Sequence, residues 1–164
     1  MLDITRNTQS NVRSSRYFIV ESKSRCNECR GVTSVIGFAL PAGYESLYVD
    51  NDTPNDEIGT WEAQSIAAVL SYVSYLPTAI ADRVRSVTLN YRLDPLSDPE
   101  SAFWVNTCKH CGTEMEEEEL HGDPGGPFSP VSDEDLEAIR LHQVCEPFEA
   151  SAGGESHNLR HLDS

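Results

Sequence analysis

Apolar positions fall in short blocks separated by turn residues, a pattern that predicts a strand-rich chain. Residues 17–20 (Tyr-Phe-Ile-Val) are a compact run of β-formers. Residues 32–40 (Val-Thr-Ser-Val-Ile-Gly-Phe-Ala-Leu) read as a second strand, closed by the turn signal Pro41-Ala42-Gly43. Residues 44–49 read as a third, with Leu47 and Val49 on one side. The stretch 61–76 is ambiguous. Ile66, Val69, Leu70 and Val73 fit one face of a helix, yet Val69, Tyr72, Val73 and Tyr75 are strand formers. A strand over 69–76 is the favoured reading. Pro77 then suits the start of a helix over 78–87, with Ile80, Val84 and Val87 as its apolar stripe. Residues 90–101 read as a loop and 103–105 as a strand. Ser132 with Asp135 three residues later resembles a capping box, predicting a helix over 133–144.

The two ends carry no such pattern. Residues 1–15 are polar and predict a flexible N-terminus; residues 147–164, rich in Ser, Gly, His and Glu, predict a disordered tail. Between them, residues 16–146 form a single domain, as 164 residues suggest. The expected fold class is α+β: a small antiparallel sheet with a split zinc ribbon and two helices. No apolar run is long enough to span a bilayer, and residues 1–15 lack the apolar core of a signal peptide.

The zinc expectation comes from two stretches, Cys26-Asn27-Glu28-Cys29 and Cys108-Lys109-His110-Cys111. Each places two thiols one tight turn apart, and two such turns can supply the four sulfurs of a structural zinc site. The 78 residues between Cys29 and Cys108 far exceed the ordinary ribbon spacing. A metal held by Cys26, Cys29, Cys108 and Cys111 would staple the first part of the chain to the last. Gly112 follows the second pair, where a positive φ is useful. The first pair matches less neatly, because Arg30 stands before Gly31. Arg25, Arg30 and Lys109 would favour thiolates. Redox dithiols and inert buried thiols are the competing readings. His110 and His121 are alternative ligands only if a cysteine fails. The fifth cysteine, Cys145, reads as a small buried hydrophobe. An odd count in this arrangement is no secreted disulfide framework, and thiolate ligands suit a reducing, cytoplasmic setting.

Charge adds a second theme. Twelve Lys and Arg against 27 Asp and Glu give a net −15. Residues 1–30 carry +3 and the remainder −18. So acidic a body repels phosphate, which argues against nucleic acid and for a basic protein partner. Two stretches concentrate carboxylates: Asp50, Asp52, Asp56 and Glu57 beside Trp61, and Glu116, Glu117, Glu118 and Glu119 after the second cysteine pair. These are the candidate partner-binding residues, with Trp61 as an aromatic anchor and Trp104 assigned to the core. The first stretch fails the calcium-loop pattern. No zinc-deaminase signature and no arrangement of nucleophile, base and oxyanion donor is present, so no enzyme activity is expected.

The stretch Trp104-Val105-Asn106-Thr107-Cys108-Lys109-His110-Cys111-Gly112, followed by Leu120-His121-Gly122-Asp123-Pro124-Gly125-Gly126-Pro127-Phe128, resembles a group of small uncharacterised bacterial proteins. There, an aromatic-x-Asn-x-Cys-x-x-Cys-Gly knuckle precedes Leu-His, an acidic residue and Pro-Gly-Gly-x-Phe. The likeness spans residues 17–130. Residues 114–119 replace a shorter, glycine-containing stretch of the group. The resemblance implies a split zinc ribbon in a bacterial cytosolic protein, and no activity. The functional expectation is therefore a non-enzymatic, acidic zinc protein that binds a basic toxin or nuclease, as an immunity protein does. The alternative is a zinc-ribbon adaptor in nucleic-acid metabolism that touches phosphate through its basic residues 1–30.

Overall fold

The computed structural model describes residues 10–49, 59–94 and 102–159. In chain order the elements are β1 (Val12–Ser14), β2 (Tyr17–Arg25), β3 (Val32–Leu40), β4 (Glu45–Tyr48), β5 (Thr60–Ala63), β6 (Ala68–Tyr75), α1 (Thr78–Val87), β7 (Tyr91–Leu93), β8 (Trp104–Thr107), β9 (Glu114–Met115), α2 (Glu117–Gly122), α3 (Asp133–Glu137), β10 (Arg140–Val144) and β11 (Phe148–Ser156). Eight strands form one sheet in the order β10-β2-β3-β6-β11-β1-β4-β5, and β7-β8-β9 form a second. Every pairing is antiparallel. The α+β class stands. The main sheet is larger than the sequence suggested, and the helices among the described residues are three short ones.

The central strands are apolar on both faces because both faces are covered. Alternation along β2 sends Tyr17 and Ile19 to one side and Phe18 and Val20 to the other. In β3, Ile36, Phe38 and Leu40 oppose Val35 and Ala39 in the same way. The first side packs under α1, through Ile80, Ala81 and Val84, and under Tyr91 and Trp104 of β7 and β8. Trp104 is thus a core residue, as expected. The second side is covered by Met115, Leu120 and Phe128, with Leu136 and Ile139 at its margin. Burying each large apolar side chain contributes about 1.5–3 kcal/mol before chain entropy is counted.

Both ends of the chain depart from expectation. The predicted tail contains β11, a nine-residue strand between β6 and β1. Its Phe148, Ala150 and Ala152 alternate inward, and Leu159 beyond it is buried in the second core cluster. Small side chains kept its hydropathy low, and they are required. A Cβ on Gly154 would stand 2.4 Å from Ser71 Oγ, and one on Gly153 would stand 3.0 Å from Cβ of Tyr72, whose φ is 54°. At the other end, β1 lies between β11 and β4, and Val12 is fully buried. The predicted helix 133–144 is also corrected. Ser132 does cap it, its Oγ accepting the Asp135 N–H, but the helix stops at Glu137. Residues 140–144 instead add β10 to the edge of β2 over five paired positions. Five ladder rungs outweigh a helix whose last turn would have had little to pack against. Residues 91–93, read as loop, form β7 and bring Tyr91 into the core.

Candidate metal centre

The two cysteine pairs sit in equivalent places. Cys26 and Cys29 lie in the turn joining β2 to β3, and Cys108 and Cys111 in the turn joining β8 to β9. Each turn closes by the same two backbone bonds. Cys26 N–H reaches Gly31 O and Arg30 N–H reaches Cys26 O, both at 2.9 Å. Cys108 N–H reaches Thr113 O and Gly112 N–H reaches Cys108 O, also at 2.9 Å. Gly112 has φ 79°, and its counterpart is Arg30, at φ 67°. The apparent mismatch of the first pair is therefore one of residue type, since its backbone follows the second. An arginine tolerates there what glycine adopts freely.

The β2–β3 and β8–β9 turns face each other so that the four sulfurs lie within 4.8 Å of one another. Cys26 and Cys111 are 3.6 Å apart, as are Cys29 and Cys108. These separations are far beyond a disulfide bond of about 2 Å. Backbone N–H groups turn toward the sulfurs: Glu28 N–H to Cys26 and Gly31 N–H to Cys29 at 3.4 Å, and His110 N–H to Cys108 at 3.3 Å. The Thr113 hydroxyl lies 3.1 Å from Cys111 Sγ. Thr113, through hydroxyl and backbone, lowers the Cys111 thiol to about 6. Cys108 is lowered as well: burial raises it, but the Cys111 and His110 N–H groups outweigh that. The Gly31 N–H lowers Cys29, yet burial and the neighbouring sulfurs raise it to about 11. A set that ionises some thiols at the expense of others, with its N–H donors already in place, fits a metal cation. Cys26, Cys29, Cys108 and Cys111 could thus hold a metal ion.

Surrounding contacts lock the two turns together. The His110 ring lies on Gly31, where an added Cβ would come within 2.6 Å of His110 Cδ2. His110 Nε2 is 3.0 Å from Val32 O, so this histidine bridges the turns and lies outside the sulfur cluster. Lys109 N–H donates to Thr33 Oγ1 at 3.1 Å. Asn106, 1 % exposed, ties β8 to β3 through Ile36. Asn27 Nδ2 donates to Glu119 Oε1 at 3.1 Å, joining the first turn to α2. His121 is not a ligand either; it is buried against Phe128, with ring centroids 4.9 Å apart.

The expected partner-binding residues divide. Asp50, Asp52, Asp56 and Glu57 lie outside the described residues. Trp61 is half-buried on β5, and the Arg13 guanidinium sits 4.0 Å over its ring while pairing with Glu45. That cap leaves Trp61 less free to act as an anchor. Glu116, Glu118 and Glu119 are exposed. Glu117 is not: it is 4 % exposed, and its Oε2 accepts the Tyr72 N–H at 2.8 Å. On a helix Glu117, Leu120 and His121 share one face, and that spacing was the sequence signal for an inward glutamate. Cys145, read as a buried hydrophobe, is exposed. His157 Nδ1 lies 3.1 Å from Ala67 O.

Fold and site together define a mostly antiparallel α+β protein with a four-cysteine cluster able to hold a metal ion. No family model matches the chain, and comparison with curated proteins and with solved structures found no match. No helix among the described residues is long and apolar enough to cross a membrane.

Proposed function

We propose that this is a non-enzymatic, zinc-stapled binding module whose acidic face engages a basic protein partner. Zinc is the ion of choice because four thiolates at about 2.3 Å around a tetrahedral ion require sulfur separations of about 3.8 Å. Distances of 3.6 Å between Cys26 and Cys111, and between Cys29 and Cys108, approach that value. Four thiolates close the shell and give substrate no open position, which makes the role structural. Two β-hairpins meeting at one zinc would be a zinc ribbon split across the sequence.

The observation that carries the partner reading is charge segregation between the two layers. Residues 112–139, which cover one side of the sheet, hold ten acidic residues and no Lys or Arg. All but Glu117 and the half-buried Asp135 are exposed. Residues 78–94, on the other side, hold three Arg and two Asp. A one-sided negative field steers a positively charged surface onto that side. The sharpest form of this reading is an inhibitor that covers the basic cleft of a toxin or nuclease. The adaptor alternative has less support. Arg13 is engaged by Glu45 and Trp61, Arg25 donates to Arg30 O at 2.7 Å, and Arg16 lies over Phe18.

Affinity capture from the source cells tests the proposal, using wild type beside a triple variant with Glu116, Glu118 and Glu119 changed to Gln. The proposal expects a basic protein retained by wild type, released by salt, and lost from the variant. A partner held equally by both proteins and indifferent to salt would refute it, as would tight duplex DNA binding at physiological salt.

A further inference from the structure

Strand β2 outruns the strand that covers its outer edge. β10 pairs with it only over residues 17–21, ending where Glu21 meets Arg140, while β3 pairs with it as far as Arg25. Ser22, Lys23, Ser24 and Arg25 therefore have a strand neighbour on one side only. The register gives the direction of their backbone groups. Cys26 N–H reaches Gly31 O across the hairpin, and Ile36, opposite Glu21, turns both its groups away from β2 to Asn106. Even-numbered residues of β2 thus bond to β3, and odd-numbered ones face the other edge. Glu21 meets β10 there. The N–H and C=O of Lys23 and Arg25 point the same way and have no hydrogen-bond partner among the described residues. This open edge is the floor of a groove. A cavity of about 500 Å³ separates it from residues 119–127, and a neighbouring one of about 530 Å³ from Glu137 and Arg140.

Unpaired backbone groups along a groove are what an incoming extended segment pairs with: main-chain bonds hold it, and side-chain pockets select it. β10 shows that this edge accepts a strand. We infer that residues 22–25 of β2 dock a short extended segment of a basic partner, added antiparallel in line with β10 and carrying Lys or Arg at its centre. Charge selects that occupant. Segment residues opposite Lys23 and Arg25 exchange N–H and C=O bonds with them. The residue between them, opposite Ser24, points to the side of the sheet where Val20 lies. The groove wall there carries Glu119, Asp123 and Asp135. Lys23 and Arg25 also border this cavity, but they alternate to the other side, and the Arg25 guanidinium is held by Arg30 O. The flanking positions meet Glu21, Lys23, Glu137 and Arg140, a mixed set that suits neutral residues. A second copy of this chain, at net −15, is repelled instead. The inference rests on the basic-partner reading and deepens it: the acidic face draws the partner in, and the β2 edge holds its backbone.

The test uses the full chain as purified and the peptide acetyl-Gly-Thr-Arg-Thr-Gly-amide, titrated at physiological salt while backbone amide spectra are recorded. Antiparallel addition turns the two threonine N–H groups toward β2 and the arginine N–H away from it. Peptide N-methylated at both threonines should therefore fail to bind, and peptide N-methylated at the arginine should bind as the parent does. With parent peptide at about ten times its Kd, exchange of the Lys23 and Arg25 N–H groups should slow about tenfold, because only the unbound fraction exchanges. Citrulline in place of arginine, or Asp123→Asn in the protein, should each weaken binding by about two- to fivefold. Equal binding of the two N-methylated peptides, or shifts spread over residues 114–137 with no slowing at Lys23 and Arg25, would overturn the inference. Slowing at those two amides that grows with protein concentration in the absence of peptide would assign the edge to a second copy and overturn it too. Peptide binding needs no partner, so the two readings can fail separately. A basic partner captured while Lys23 and Arg25 exchange freely sinks the strand site alone. Peptide seated on the β2 edge without any basic partner sinks the wider reading.

Discussion

Asn106 treats Ile36 as a strand treats its neighbour. Its Oδ1 accepts the Ile36 N–H and its Nδ2 donates to the Ile36 C=O, both at 2.9 Å and both buried. One side chain thereby joins β8 to β3, and with them the two metal-site turns. Asn106→Leu would strand both Ile36 groups in the core at about 1–3 kcal/mol each. We expect a loss of at least about 2 kcal/mol in urea unfolding. An unchanged midpoint would mean that water or a shifted backbone replaces the amide.

Arg30 and Gly112 occupy matching left-handed positions, so their substitutions should have opposite signs. Gly112→Ala places a Cβ at φ 79° and should cost about 1 kcal/mol. Arg30→Gly removes a Cβ at φ 67° and should be neutral or slightly stabilising. The Arg25 bond to Arg30 O survives, because it uses the backbone. Thermal unfolding of the two variants side by side decides this. Destabilisation by Arg30→Gly would show that its side chain matters more than its backbone.

Gly31 is limited by space, not by conformation. Gly31→Ala would drive a Cβ to 2.6 Å from the His110 ring. The ring must then leave Val32 O, and the two turns lose a bridge. His110→Ala in the same background should recover part of the stability. If Gly31→Ala is silent on its own, the His110 contact carries little weight.

How much of this was legible follows from what each residue advertises. The four cysteines declared themselves by spacing, and β3 and α1 by period, so residues 32–40 and 78–87 were bounded as observed. The strand of Phe148, Ala150 and Ala152 was hidden because alanine and glycine carry too little hydropathy to mark a buried face. Residues 140–144 carry no strong strand signature; they become β10 because the edge of β2 lies next to them in space. Asn106 could not be read as a core linker, since its partner is a backbone pair 70 residues away. Glu117 was lost in a run of four glutamates that looks uniformly solvated. The acidic run 112–139 is contiguous in sequence, but its placement on the side of the sheet opposite α1 is a property of packing.

Alkaline pH should expose the buried tyrosines. Burial raises Tyr17, Tyr44 and Tyr91 above their ordinary value near 10, and Glu155, hydrogen-bonded to Tyr44, raises that residue further. Unfolded tyrosines ionise first, so the folded state holds more protons above pH about 10. Stability is therefore intact below that pH and falls as pH rises beyond it. Tyr44→Phe should flatten the decline between pH about 9.5 and 11 relative to wild type. An identical slope in the variant would remove Tyr44 from the effect.

The central claim is that one zinc holds the first hairpin turn to the second. Metal analysis of protein purified without chelator, combined with thiol titration of the native state, tests it most directly. The account predicts about one zinc per chain, one reactive thiol from Cys145, and release of the other four together with unfolding when a strong chelator is added. A folded, metal-free chain with all five thiols reactive would contradict it.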